Sequence, residues 1–194
     1  MAKLYFNYSS MNAGKSTVLL QAAYNYEERG MTTLLLIAAF DDRAGKGRIA
    51  SRIGLGADAD VFNSSDNVFE HILRANEAQK VDAVFVDEAQ FLTEDQVWQL
   101  ARAADMLRIP VMCFGLRTDF QGKLFPGSAA LLALADNLKE IKTICWCGRK
   151  ATMVARLDAD GKIVEEGDQV VIGGNDKYVS LCRRHWSERD LGPA

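Results

Sequence analysis

Residues 9–16 read SSMNAGKS, between an apolar stretch that begins at Leu4 and a helical pattern through Leu19, Leu20 and Tyr24. A chain that ends a strand, turns and starts a helix on Gly-Lys-Ser has few folds open to it, because this is how a backbone wraps a triphosphate. The turn aims successive N–H groups inward, and the helix adds the positive end of its dipole. Lys15 is then the cation for the β and γ oxygens, and the Ser16 hydroxyl a ligand for Mg²⁺. Gly-Lys-Ser alone is also a common surface turn; the flanking strand and helix make it a phosphate site. Ser9 stands where the usual motif begins with glycine. That glycine supplies conformational freedom rather than chemistry, so a serine is accommodated provided its φ stays negative.

Strands and helices alternate after this loop. The sequence predicts strands at residues 4–8, 32–38, 81–86 and 111–114, with a helix from Lys15 to an Arg29-Gly30 cap. The run at 32–38 is almost wholly apolar, the pattern of a strand buried on both faces. Capping signals at Asn67/Glu70 and Thr93/Gln96 open two more helices, the second stopped by Pro110. Residues 44–60 are rich in Gly, Ala and Asp without periodicity and read as a mobile loop. The order predicts an α/β fold with a parallel three-layer sheet, its ligand site at the carboxyl ends of the strands.

Near Lys142 the texture changes to short β-rich runs, an Asp158-Ala-Asp-Gly161 turn and the Gly173-Gly174 pair. We therefore divide the chain into a nucleotide-binding α/β domain, 1–141, and a small β-rich domain, 142–194. The second part is too short to bury much core and needs a staple.

Two constellations carry chemistry. In VFVDEAQF, residues 84–91, the strand ends in an acid, which puts Asp87 at the carboxyl edge of the sheet where it can hold Mg²⁺. Glu88 follows with its side chain directed elsewhere, so the pair can divide its labour: Asp87 on the metal, Glu88 as general base toward a hydroxyl or water. Taken without the Lys15 loop, Asp-Glu would read as the start of an exposed turn. Asp41 and Arg43 follow the second strand and read either as a turn residue and a solvated charge or as groups near the phosphates.

The second constellation is Cys145-Trp-Cys147 with Cys182-Arg-Arg-His185. Three thiolates and an imidazole make a tetrahedral structural zinc set, with C-x-C in place of the commoner C-x-x-C. A disulfide or plain buried cysteines are the alternatives. Structural zinc supplies on the order of 10 kcal/mol of folding free energy, which suits a segment with so little core. Four protein ligands would leave no position open for catalysis. Cys113, inside a strand, reads as a small buried hydrophobe, and His71 is given no role.

Net charge is −3, with no block of like charges, so the electrostatic footprint of a dedicated nucleic-acid binder is missing. The first strand starts too early for a signal peptide, and no apolar run is long enough to span a bilayer. These features predict a soluble, cytoplasmic protein.

At this point SSMNAGKST, the DDR at 41–43, VDEAQF, GLRTDFQGKLF, TICWCGRKA, VVIGGNDKYVS and CRRH stand together in one order. In them the chain resembles the type II, cytosolic-type thymidine kinases, and most closely their bacterial members. The resemblance implies a RecA-like ATP-binding domain, a zinc-bearing domain with a lasso loop over the nucleoside, and a homotetramer. It implies Mg-ATP-dependent phosphorylation of the thymidine 5′-hydroxyl, with feedback inhibition by dTTP, and no nucleic-acid or membrane partner. The ATP site would comprise Ser9, Ser10, Met11, Asn12, Ala13, Gly14, Lys15 and Ser16 with Asp87, Glu88, Ala89 and Gln90, and Glu88 would be the catalytic base. The lasso would be Gln169, Val170, Val171, Ile172 and Gly173, hydrogen-bonding the thymine edge through main-chain groups. Tyr178 resembles the family's substrate-contacting tyrosine, and Met11, Phe91, Leu116, Phe120 and Phe125 resemble the apolar walls around the base. Taken singly, each of these aromatics reads as ordinary core. The rival reading is a P-loop ATPase whose zinc module couples hydrolysis to nucleic-acid binding.

Overall fold

The computed structural model describes residues 1–39, 47–169 and 177–193. Its centre is a six-stranded parallel sheet formed by β1 (Leu4–Ser9), β2 (Thr33–Ala38), β5 (Asp60–Phe62), β6 (Ala83–Asp87), β7 (Val111–Leu116) and β8 (Asn137–Glu140). The spatial order is β5-β2-β6-β7-β1-β8. Side chains alternate between the two faces of a strand, and here the alternation sorts residues into two cores. Leu34, Leu36, Val84 and Val86 join one cluster, while Leu35, Ile37, Ala83 and Phe85 join the other. Helix α1 (Lys15–Glu27) covers the second face through Leu19, Leu20 and Ala23. Helices α2 (Val68–Ala78), α3 (Glu94–Arg102) and α4 (Pro126–Leu134) cover the first. The expected three-layer α/β architecture is present.

Asn67 caps α2 by accepting the Glu70 N–H at 3.1 Å. Thr93 and Gln96 form a full capping box on α3. The helix expected to run until Pro110 stops it instead ends at Arg102 and continues as one π-helical turn, Ala103–Leu107, closed by Arg108 at φ 58°. The wider turn re-phases the apolar face and keeps Ala103 and Ala104 buried.

The loop expected over residues 44–60 is corrected by the structure from residue 47 onward; residues 44–46 lie outside the described residues. Strands β3 (Arg48–Ala50) and β4 (Gly56–Asp58) form an antiparallel hairpin, and β5 joins the central sheet beside β2. Ile49, fully buried against the second core, anchors the hairpin.

The central sheet ends at Glu140. Strands β9 (Thr143–Ile144) and β10 (Lys150–Ala151) pair with each other, and β11 (Met153–Leu157) lies between β12 (Ile163–Val164) and β13 (Tyr178–Leu181). The Asp158 turn expected from sequence closes the β11–β12 hairpin, with Asp158 accepting from the Asp160 and Lys162 N–H groups. Helix α5 (Arg183–Glu188) completes this part. Among the described residues no helix is long and apolar enough to cross a membrane.

Candidate active site

Strand β1 delivers the chain at Ser9 to the carboxyl edge of the sheet, and β6 delivers Asp87 to the same edge. Only β7 lies between them, so the two strand ends stand about 10 Å apart. The loop closes that gap. Asn12 and Gly14 take left-handed conformations, φ 60° and 83°, and turn the chain into α1. Ser9 is not among the residues with positive φ, which is the condition its replacement of glycine required. Lys15 and Ser16 open α1, and the Ser16 hydroxyl donates to Asp87 Oδ2 at 2.8 Å. The two residues expected to share a Mg²⁺ are thus in direct contact. Lys15 is 8% exposed and Asp87 2%. Burial, helped by the Glu88 charge, pushes the Asp87 carboxyl up to about 7, against the pull of the Ser16 hydroxyl, the Glu88 N–H and the Lys15 ammonium.

Glu88 sits at φ 51°, ψ 39°, a left-handed position that costs a residue with a Cβ roughly 1–2 kcal/mol. Strain of this kind at a strand end is what separates the two carboxylates: Asp87 stays in the strand, and Glu88 turns out of it. Gln90 then fixes Glu88. It is 1% exposed, donates through Nε2 to Glu88 Oε2, and accepts the Leu116 N–H at Oε1 across 3.0 Å. The role of Gln90 as a link between Glu88 and β7 carries no sequence signal beyond its place in DEAQF. Ala89, wholly buried, begins the short 3₁₀ turn that carries Gln90 and Phe91.

A cavity of about 420 Å³ opens over these groups, lined by Met11, Asn12, Gly14, Lys15, Ser16, Asp87, Glu88 and Leu116. The hairpin β3–β4 walls its other side with Arg48, Ser51, Arg52 and Ile53. Both arginines were missed by sequence reasoning, because the segment carried no pattern that placed it at the sheet edge. Asp41 and Arg43, expected near the phosphates, lie outside the described residues.

Of the expected apolar walls, Met11 and Leu116 meet at this cavity. Phe91 and Phe125 meet each other edge-on at 6.0 Å between centroids. Phe120 is buried beneath the Arg156 guanidinium, 3.8 Å from its ring centre. Arg156 in turn donates to the Asp168 carbonyl at 2.8 Å, and Gln169 Nε2 donates to Asp119 Oδ2 at 2.9 Å. These bonds tie down the chain that leads into the expected lasso. Of that lasso, Gln169 is described; Val170, Val171, Ile172 and Gly173 lie outside the described residues. Tyr178 opens β13, half-buried, its carbonyl accepting from Asn12 Nδ2 at 3.4 Å.

The four expected metal ligands converge. Cys145, Cys147, Cys182 and His185 offer ligand atoms all within 4.8 Å of one another, and Cys145 Sγ lies 3.4 Å from His185 Nδ1. Tetrahedral zinc with Zn–S bonds of about 2.3 Å has edges of about 3.8 Å, so the spacing fits. Burial alone would raise the Cys145 thiol, but N–H groups of Cys147 and Cys182, with His185, outweigh it and bring the pKa down to about 6. All four cysteines are free thiols in the structure. Trp146 stacks on the His185 ring, 4.4 Å between centroids and 9° from parallel. Cys113 is the buried hydrophobe expected, its thiol pushed up by burial. His71, given no role, bonds Asp60 on the surface at 2.8 Å.

A family model described as thymidine kinase matches residues 2–186. The chain is similar to the thymidine kinase of Rhizobium meliloti (strain 1021), with 68% identity over 191 residues, 97% of this chain and 98% of the relative. It is likewise similar to that of Ruegeria pomeroyi, at 68% over 193 residues covering 100% and 98%. The thymidine kinase of Shewanella oneidensis is 60% identical over 188 residues, covering 97% and 98%.

Proposed function

Because the chain belongs to the thymidine kinase family and is thereby a deoxynucleoside kinase, we propose that it transfers the γ-phosphoryl group of Mg-ATP to the 5′-hydroxyl of thymidine, giving dTMP and ADP. The observation that carries the reading is the contact of Ser16 with Asp87 at 2.8 Å beside buried Lys15, with Glu88 turned out of the same strand end.

ATP lies with its phosphates on the loop Ser9 to Ser16. Lys15 and the loop N–H groups neutralise the β and γ oxygens, and Ser16 and Asp87 hold the Mg²⁺ that accompanies the nucleotide. Arg48 and Arg52 face the same cavity from the hairpin and add positive charge opposite Lys15. Glu88 takes the proton of the 5′-hydroxyl while the new O–P bond forms and the bond to the β-phosphate oxygen breaks, so that ADP leaves. Gln90 orients that carboxylate. Thymidine is held between Phe91, Phe125 and the chain from Gln169 to Tyr178, its amide-like edge paired with main-chain N–H and C=O groups.

Residues 142–194 form a zinc-bound domain packed on an ATP-binding domain, 1–141. The Cys145, Cys147, Cys182, His185 set supports this, since three thiolates and one imidazole converge to tetrahedral spacing. Zinc bound there closes the fold and does no chemistry. Assembly as a homotetramer, inhibition by dTTP and a cytoplasmic place of work belong to the same reading, supported by family membership.

Radiometric phosphate transfer to a panel of nucleosides tests it. Label should appear on thymidine, and ATP turnover should not respond to single-stranded DNA. Turnover stimulated by DNA and indifferent to thymidine would turn the reading to a nucleic-acid-coupled ATPase.

A further inference from the structure

We propose that strand β13 holds the phosphate loop in its binding conformation, with Ser180 as the positioning residue. The inference rests on reading residues 9–16 as that loop.

The four residues of β13 alternate between two neighbours. Val179 and Leu181 pack with Cys145, Ala151, Ala155 and Cys182 in the small core around the thiolate cluster. Ser180 faces the other way, and its hydroxyl donates to the Met11 carbonyl oxygen at 2.5 Å, across 169 positions of sequence. Two longer bonds flank this one. Asn12 Nδ2 reaches the Tyr178 carbonyl at 3.4 Å, and Ser10 Oγ reaches the Ala151 carbonyl at 3.5 Å. Three consecutive loop residues are therefore tied to one small patch of the β-rich part.

The middle bond matters most because of peptide geometry. The Met11 carbonyl and the Asn12 N–H belong to one planar trans unit and point in opposite directions. Anchoring the carbonyl on β13 aims the N–H away from β13. Met11, Asn12, Gly14 and Lys15 line the cavity and β13 contributes nothing to its lining, so the side of the loop turned from β13 is the one we assign to the cavity. A loop with left-handed residues at Asn12 and Gly14 has other backbone states close in energy, and an inward N–H is what a phosphate oxygen needs. Ser180 selects that state before the nucleotide arrives. The same strand carries Tyr178, so the side that meets the nucleoside and the loop that meets ATP share one rigid element.

The test is the affinity of the full chain for Mg-ATP, by titration calorimetry without thymidine, in Ser180→Ala, Ser180→Thr and Lys15→Ala. A lost internal hydrogen bond predicts about 2- to 12-fold weaker binding in Ser180→Ala. Zinc content and the KM for thymidine should be unchanged, and amides of residues 11–14 should exchange faster with solvent. Threonine keeps the hydroxyl and suits a strand, so Ser180→Thr should restore the affinity. Wild-type affinity in Ser180→Ala while Lys15→Ala fails to bind would overturn the inference and leave the phosphate loop standing. Wild-type affinity in Lys15→Ala would overturn the loop reading itself. Loss of zinc from Ser180→Ala, with no recovery in Ser180→Thr, would show that the strand acts through the metal-bearing core instead.

Discussion

Gly127 lies beneath the turn that follows Asp87, so close that a Cβ built on it would stand 2.6 Å from the Ala89 carbonyl oxygen. The Leu92 and Gln90 carbonyl oxygens would be 2.7 and 2.9 Å away. All three are backbone atoms, so nothing there can swing aside. Helix α4 and the turn carrying Gln90 approach to the limit that a missing side chain allows, and Glu88 is positioned by that turn.

Gly127→Ala should therefore act on both stability and chemistry. Overpacking of this kind costs about 1–3 kcal/mol, read as a fall of several degrees in Tm. Because the displaced turn carries Gln90, kcat should fall as well, while Mg-ATP affinity stays near that of the wild type. An unchanged kcat in a folded variant would show that the turn does not govern the Glu88 carboxylate.

Asp87 sets the pH dependence. With its carboxyl raised to about 7 by burial and the Glu88 charge, it carries a proton below that pH and must release it before sharing a cation with Ser16. Affinity for Mg-ATP should then weaken as pH falls below about 7, by up to about tenfold per unit, and level off above it. For folding the sign is opposite. A carboxyl raised above its unfolded value favours the native state at low pH, and that contribution is lost as pH rises from 3.8 through about 7. Calorimetry at pH 6 and pH 8, in two buffers of different ionisation enthalpy, checks both the trend and the proton release. Asp87→Asn should flatten the profile; equal affinities at the two pH values in the wild type would contradict this account.

The residues proposed to hold zinc have their own support. Trp146 stacks on His185 and donates through its indole N–H to the Asp190 carbonyl at 3.2 Å, while the Asp190 carboxylate lies 4.0 Å from His185 Nε2. The indole thus covers one face of the ring and the Asp190 carboxylate stands near its far edge, leaving Nδ1 toward Cys145. Outer groups that orient a liganding histidine are typically worth about 10- to 100-fold in metal affinity. Trp146→Ala and Asp190→Asn should each speed zinc transfer to a chromophoric chelator, with Asp190→Glu closer to wild type. Release at the wild-type rate in both variants would leave the stacking without a role at the metal.

Much of this was legible in sequence, and the limits have physical causes. The long apolar strands announced themselves because β2 and β6 are buried on both faces. SSMNAGKS and VDEAQF located Ser16 and Asp87 at one sheet edge because each motif sits at a strand end. The hairpin β3–β4 was invisible: its strands are three residues long, and only Ile49 is buried, too little for alternation to register. Arg48 and Arg52 were missed with it. Strand β8 has the sequence NLKE and an exposed edge position beside β1, so neither hydrophobicity nor period marks it. The bonds from Asp119 to Gln169 and from Ser180 to Met11 link positions far apart in sequence, and no local pattern encodes a contact of that kind.

Glu88 carries the sharpest expectation. The 5′-hydroxyl of thymidine is a weak nucleophile at neutral pH and must lose its proton as the phosphoryl group moves. Glu88 leaves the strand one residue after Asp87 in a left-handed turn, lines the cavity over Lys15, and is held by the Gln90 amide. Glu88→Gln keeps the size of the side chain and an oxygen for that amide to bond, but it cannot take the proton. General-base catalysis is typically worth about 10²- to 10⁴-fold, so kcat should fall by that factor while both substrates still bind. Gln90→Ala, which frees the carboxylate without removing it, should give a smaller loss, in kcat more than in KM. Asp87→Asn should differ from both, weakening the use of Mg-ATP and recovering in part with added Mg²⁺. Single-turnover transfer by Glu88→Gln at near the wild-type rate would mean that the proton leaves by another group.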